Sequence, residues 1–265
     1  MYRWLLFALA VLVLLLGSLT AVACPDWIPW RTAVLAGEYG GWLAPLALLI
    51  AVLGWSARRS GRAVAAISYR LAPKFTWPAQ RDDVLAAIAY LKSHGPALGV
   101  DPTRLVLLGR SAGGQLAEVV GYTSDDPSIR GIVALYAPSD MAFAYAHARE
   151  DDAVKSPHLM RQFLGGTPET ASAAYEAASA LPRVTRTSPP TLLLHGQLDT
   201  LVWHRHSERL DRRLAEEGVP HAFVSLPWAT HAFEYHLNGP GGQLTTYALE
   251  WFLAAVAAPP TAVER

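Results

Sequence analysis

The chain has 265 residues, 22 basic and 22 acidic side chains, a formal net charge of +0 and a single Cys. Balanced charge, with the Arg residues interleaved among acids, argues against a nucleic-acid surface. One Cys excludes an intrachain disulfide. The 52% hydrophobic content and mean hydropathy of +0.20 are high for a soluble enzyme, and the excess is concentrated at one end.

Residues 4–23 form an uncharged apolar run of 20 residues, and residues 39–57 a second of 19 with Pro45 inside it. Each is long enough to span a bilayer as a helix. Residues 1–62 therefore read as an N-terminal membrane region. Arg58, Arg59 and Arg62 follow the second run, which places the remainder on the cytoplasmic side. The alternative is a signal peptide and export: Tyr2-Arg3 is a short basic start, and Ala21-Val22-Ala23 resembles a cleavage site.

After Arg62 the pattern alternates strands and helices. A strand leads into Ser68-Tyr69-Arg70-Leu71-Ala72-Pro73, and a helix over 82–93 follows, with Val84, Leu85, Ile88 and Leu91 at helical spacing. The apolar run Arg104-Leu105-Val106-Leu107-Leu108 predicts a strand, followed by Gly109-Arg110-Ser111-Ala112-Gly113-Gly114 and a helix over 115–121. A Ser in a tight Gly-flanked turn between strand and helix has the context of a nucleophile elbow. Gly109 and Gly113 keep the turn uncrowded, and Gly114 lets helix and strand approach. The Ala112 backbone N–H is the candidate oxyanion donor.

A strand over 131–135 precedes Asp140, and a cap segment over 141–186 carries Phe143, Tyr145, Phe163 and Tyr175, with a lid helix over 170–180. The flanking residues His147, His158 and Glu150-Asp151-Asp152 match no standard metal-ligand spacing, so this stretch reads as a polar lid without metal. The buried-type strand from Thr191 ends before Asp199. A charged amphipathic helix over 203–217, whose His204 and His206 read as solvated, leads to a strand over 222–226 and then His231. Asp199 and His231 each follow a strand, on the sheet edge where Ser111 stands and where open α/β sheets place their sites. Ser111 as nucleophile, His231 as base and Asp199 as orienting acid follow the order Ser, Asp, His; Asp140 is the backup acid. His195 reads as a structural hydrogen-bonding residue, and residues 259–265 as a fraying tail.

The segment from Ala63 to Phe252 resembles the α/β-hydrolases of the esterase/lipase branch, akin to hormone-sensitive-lipase-like carboxylesterases. The Tyr-Arg-Leu-Ala-Pro piece, the elbow and the Asp199/His231 pair carry the resemblance. It implies a mostly parallel sheet with flanking helices over residues 63–258, in which the Tyr-Arg-Leu-Ala-Pro piece ends a central strand. It also implies hydrolysis of a small-molecule or lipid-derived carboxylic ester with no metal or organic cofactor. Some α/β-hydrolases with a similar elbow are peptidases. The family's His-Gly-Gly-Gly-type loop, which completes the oxyanion hole, has no counterpart here. Only residues 56–62 separate the second apolar run from the next strand, fewer than a parallel crossover needs. Either the N-terminal hydrophobic region substitutes for the missing strand, or the chain is an N-terminally incomplete, internally deleted homologue with a joint near 57–62; the deletion is the favoured reading. A catalytically impaired or non-catalytic truncated homologue with a binding role is the alternative function, and a serine peptidase the second alternative.

Overall fold

The computed structural model describes residues 63–257; the two apolar runs, the proposed joint and the tail 259–265 lie outside the described residues. In chain order the elements are α1 (Ala79–His94), a 3-10 turn (Gly95–Leu98), β1 (Leu105–Arg110), α2 (Ala112–Thr123), β2 (Ile129–Leu135), α3 (Met141–His147), α4 (Ser156–Leu164) and α5 (Ser172–Ala177). A second 3-10 turn (Leu181–Arg183), β3 (Thr191–Gly196), α6 (Arg205–Glu216), β4 (His221–Leu226) and α7 (Pro240–Val256) complete them. The four strands are parallel in the order β1-β2-β3-β4.

The sheet is legible in its side-chain alternation. Along β2, Ile132 and Ala134 face one layer while Val133 and Leu135 face the other; along β3, Leu193 opposes Leu192 and Leu194. The first layer packs against Leu210 and Leu214 of α6 and Ala117 of α2, the second against Ala248 and Phe252 of α7. Both faces of β2 and β3 are therefore dry, which is why these strands read as unbroken apolar runs. Every residue of β3 is buried.

Two expectations are corrected. No strand forms at residues 63–70. Val64 and Ile67 are exposed there, and β1 pairs only with β2 among the described residues. Without a neighbouring ladder an extended segment has nowhere to place its backbone hydrogen bonds except water. The Tyr-Arg-Leu-Ala-Pro piece is instead tied to α1: Arg70 Nε and backbone N–H both donate to Asp83, at 2.9 and 2.8 Å. In α1 itself Val84 and Ile88 are buried and Leu85 is exposed. The second correction concerns α6. His206 and Ser207 lie one turn before Leu210 and are buried with it, while His204 is half-buried against Ser225 Oγ at 2.9 Å. The charge of this helix sits on the opposite face, so only that face is solvated.

The cap has a small core of its own, formed by Met141, Met160, Leu164, Tyr175 and Ala178. Among the described residues no helix is long and apolar enough to cross a membrane, and no cluster of potential metal ligands occurs.

Candidate active site

Ser111 follows β1 directly, with φ of 51° and ψ of −122°. This is a region that non-Gly residues rarely occupy, held here by flanking contacts rather than by local preference. Its backbone N–H donates to Leu135 O at 2.9 Å, fastening the turn to β2. Gly109 and Gly114 are required by contact: a Cβ on Gly109 would strike the Gly113 backbone, and one on Gly114 would lie 2.8 Å from Ala137 Cβ. A Cβ on Gly113 would meet nothing within 4 Å, so packing places no such demand there. The helix opens at Ala112, earlier than the pattern suggests, so the Ala112 N–H belongs to the first turn of α2, where helix N–H groups are free of intrahelical partners.

Asp199 and His231 come from two loops zipped together. Gln197 N–H donates to Leu226 O and Leu198 N–H to Ala229 O, and Gly196 lies against the Ala229 carbonyl so closely that no Cβ fits. These bonds bring residues 32 positions apart into contact: His231 Nδ1 lies 2.7 Å from Asp199 Oδ2. The other ring nitrogen, Nε2, lies 3.2 Å from Ser111 Oγ. The partners assign the tautomer: Nδ1–H donates to the carboxylate and Nε2 accepts from the serine hydroxyl.

Asp199 is buried and heavily bonded. Its Oδ1 accepts from the Leu201 and Val202 N–H groups, each at 2.9 Å, and Oδ2 also lies 3.3 Å from His195 Nε2. Burial alone would raise its carboxyl. Hydrogen bonds from His195 and His231 outweigh that and hold it well below the usual carboxylate range. His195 is itself fully buried, with Nε2 at 2.9 Å from Val202 O and Nδ1 at 2.7 Å from Ser207 Oγ. Asp140 is elsewhere: it caps α3 by accepting from Phe143 N–H at 3.0 Å and pairs with Arg209 at 2.8 Å. It does not bond His231. A residue with Asp140's turn-forming position serves a helix N-terminus by the same short carboxylate that made it a rival acid.

Three residues that the motifs did not single out brace the site. Tyr136, at φ 41° just past β2, lays its ring 4.3 Å from that of His231. Its hydroxyl donates to Glu234 Oε1 at 2.5 Å and accepts from Arg110 Nε at 2.8 Å. Burial, then the bond to Glu234, keeps the Tyr136 phenol protonated. Arg110 also pairs directly with Glu234 at 2.5 Å. One exposed cation thus ties the residue before Ser111 to the loop of His231. A Tyr immediately after a strand and a Glu three residues after the base were the available signals. Gln115, on α2, spends its amide N–H on Ala178 O of the cap.

A cavity of about 230 Å³ opens beside Ser111 and Ala112. Met141, Met160, Phe163 and Trp203 give it mainly apolar walls, and His147 and His206 also line it. Of the cap aromatics named from sequence, Phe163 reaches this cavity and Tyr175 fills the cap core; near the Asp199 and His231 loops, Trp203 reaches the cavity, Phe233 packs on Tyr136, and Trp228 and Tyr235 are exposed.

Comparison with known proteins agrees with this architecture. The family described as BD-FAE matches residues 52–214. Probable carboxylic ester hydrolase LipM of Mycobacterium tuberculosis is 30% identical over 236 residues, covering 86% of this chain and 52% of that protein. The crystal structure of carboxyl esterase 2 from Tuber melanosporum superposes with a TM-score of 0.62 at 26% identity, over 75% of this chain and 69% of that one. Esterase LipW from Mycobacterium marinum gives 0.61 at 25% identity, over 77% and 66%. The chain spans about half the length of the curated esterases it matches. The family match over more than half the chain, which takes in Ser111 and Asp199, together with the parallel sheet and the esterase relatives, carries one conclusion: the chain belongs to the BD-FAE family, on the esterase/lipase branch of the α/β-hydrolases.

Proposed function

We propose that this protein is a serine hydrolase of carboxylic esters, with Ser111, His231 and Asp199 as its catalytic residues. The observation that carries the reading is the unbroken line from Ser111 Oγ through His231 to Asp199, standing beside an apolar cavity. In the proposed reaction Ser111 Oγ attacks the ester carbonyl while its proton passes to His231 Nε2. The charge left on the carbonyl oxygen is met by the Ala112 N–H. His231 then returns the proton to the departing alkoxide, leaving Ser111 acylated. Water, activated by the same imidazole, releases the acid. Asp199 steadies the imidazolium and fixes its tautomer. The apolar walls favour an apolar acyl or alkyl group, and the named activities of the relatives, a carboxylic ester hydrolase and esterases, support the same chemistry.

Residues 4–23 and 39–57 are proposed to anchor the hydrolase to a membrane, with the catalytic part cytoplasmic. That β1 has one partner strand among the described residues, with Leu108 exposed, favours a second reading, a chain with impaired catalysis that still binds esters. Labelling by a fluorescent fluorophosphonate separates them. Membranes carrying the wild type are expected to label and those carrying Ser111→Ala are not. A folded, membrane-bound wild type that does not label would leave only the binding role.

A further inference from the structure

The wall of the cavity beside Ser111 includes a polar group that the proposed reaction does not use. His206 lines its wall, yet the residue is only 2% exposed. Nδ1 has no hydrogen-bond partner. Three other polar side chains around the cavity already have partners. Gln115 is committed to Ala178 O, His147 Nδ1 to Phe143 O, and Ser111 to His231. The His206 ring is held by carbon: Phe143 meets it edge-on at 5.0 Å between centroids. Its backbone is fixed in the first turn of α6 by the bond from its N–H to Trp203 O.

A buried polar atom without a partner is destabilising, and native proteins keep few of them. One on the wall of a ligand cavity can be satisfied by the ligand. Burial, and next the charge of His195, push the His206 base down to about 3. The ring therefore meets a ligand neutral, with one donor and one acceptor nitrogen. A neutral imidazole in an apolar cavity suits a neutral oxygen; a carboxylate would lose its hydration there.

Building on the esterase reading, we propose that His206 is a specificity residue: the arm of the ester that fills the cavity carries a hydroxyl or carbonyl oxygen along its apolar length, and His206 hydrogen-bonds it. A plain hydrocarbon arm would leave the ring unpaired. A site that hydrogen-bonds its substrate discriminates against the analogue lacking that group more sharply than an apolar pocket discriminates by size.

The test uses the full chain and two matched ester series. In the first, p-nitrophenyl hexanoate is compared with its 3-, 4- and 5-oxo derivatives; in the second, hexyl acetate with acetates of the corresponding oxo-hexanols. The first series puts the oxygen on the acyl arm and the second on the alcohol arm. One oxygenated ester is expected to exceed its parent by about tenfold in kcat/KM, the scale of one neutral hydrogen bond. His206→Phe, close in shape, should erase that preference while still turning over the parent ester. His206→Gln should retain part of it. Rates within twofold of the parent throughout both series, or a preference that survives His206→Phe, would overturn the proposal while leaving the esterase reading intact. Absence of turnover and of fluorophosphonate labelling would instead remove the esterase reading. The subsite is then read directly, from the 15N shift of the His206 ring titrated with 2-hexanone. A saturable shift supports it and none overturns it.

Discussion

β3 and β1 are parallel strands of six residues, and each ends in a loop that supplies the site, yet they are built differently. Every residue of β3 is buried between β2 and β4, and the acid that follows it accepts from two backbone N–H groups and faces two imidazoles. β1 has one neighbour among the described residues, and Leu108 within it is 51% exposed. The serine that follows sits in a strained turn secured by glycine contacts and by one bond to β2. The acid–base half is thus over-determined, and the nucleophile half depends on a few contacts. Strain at a nucleophile persists only where its surroundings enforce it, so the β1 half is where turnover should be most easily lost without unfolding.

The largest expected effect lies in the rigid half. Asp199→Asn preserves shape but presents an amide where His231 needs a carboxylate, favouring the wrong tautomer. A drop of about 10⁴-fold in kcat is expected, with KM little changed and the circular dichroism spectrum intact. A loss below tenfold would mean that Asp199 is a turn former and not the acid. Gly196→Ala tests whether the zipped loops matter as a unit. The added methyl would meet the Ala229 carbonyl, and either the loops part or the strand shifts. Overpacking of this kind costs about 1–3 kcal/mol, read as a lowered urea midpoint, together with slower fluorophosphonate labelling of Ser111.

The nucleophile half has a different weakness. Glu118, on α2 beneath the elbow, is 1% exposed, and neither carboxylate oxygen has a hydrogen-bond partner. Burial pushes its carboxyl up to about 8. A folded pKa raised above the unfolded one means that the fold favours the protonated form. The stability from this group is complete at or below pH 4.5 and is lost as pH rises toward 8. Asp199, depressed, works in the opposite sense: its stability is present above the unfolded carboxylate pKa and is lost in acid. Wild-type Tm is therefore expected to fall between pH 5 and 8 by several degrees, and Glu118→Gln to flatten that fall. Parallel curves for the two proteins would show that Glu118 stays ionised.

Much of this was legible in residue pattern. β2, β3 and β4 are apolar runs bounded by turn formers, and the Ser, Asp and His each follow a strand, so one parallel topology brings them to one edge. The central strand expected at residues 63–70 was not legible as an error. Its apolar residues resemble any strand, but pairing depends on a neighbour that short-range pattern does not supply. His206 was misread because the polar residues around it, Arg205, Ser207, Glu208, Arg212 and Arg213, look solvated as a set; which face of α6 turns inward is decided by Leu210 and Leu214. Asp140 matched a rival acid in type and position, and its bonds to Phe143 N–H and Arg209 separate the two roles.

The tie between the two halves is the Arg110–Tyr136–Glu234 cluster, whose outer members are 124 residues apart in sequence and joined only by tertiary contact. Tyr136 touches the base by its ring and Glu234 by its hydroxyl, while Arg110 precedes the nucleophile. If the cluster sets the distance between His231 and Ser111, Glu234→Gln should lower kcat by about tenfold with KM nearly constant, because a small misplacement of reacting groups costs rate before binding. Tyr136→Phe keeps the ring against His231 and removes both hydroxyl bonds, so it should reproduce the Glu234→Gln effect. The double variant should then lose little more than either alone, as expected of residues acting as one unit. Additive losses would instead show that the two side chains support the site separately, and an unchanged kcat in both single variants would show that the zipped loops alone hold His231 in register.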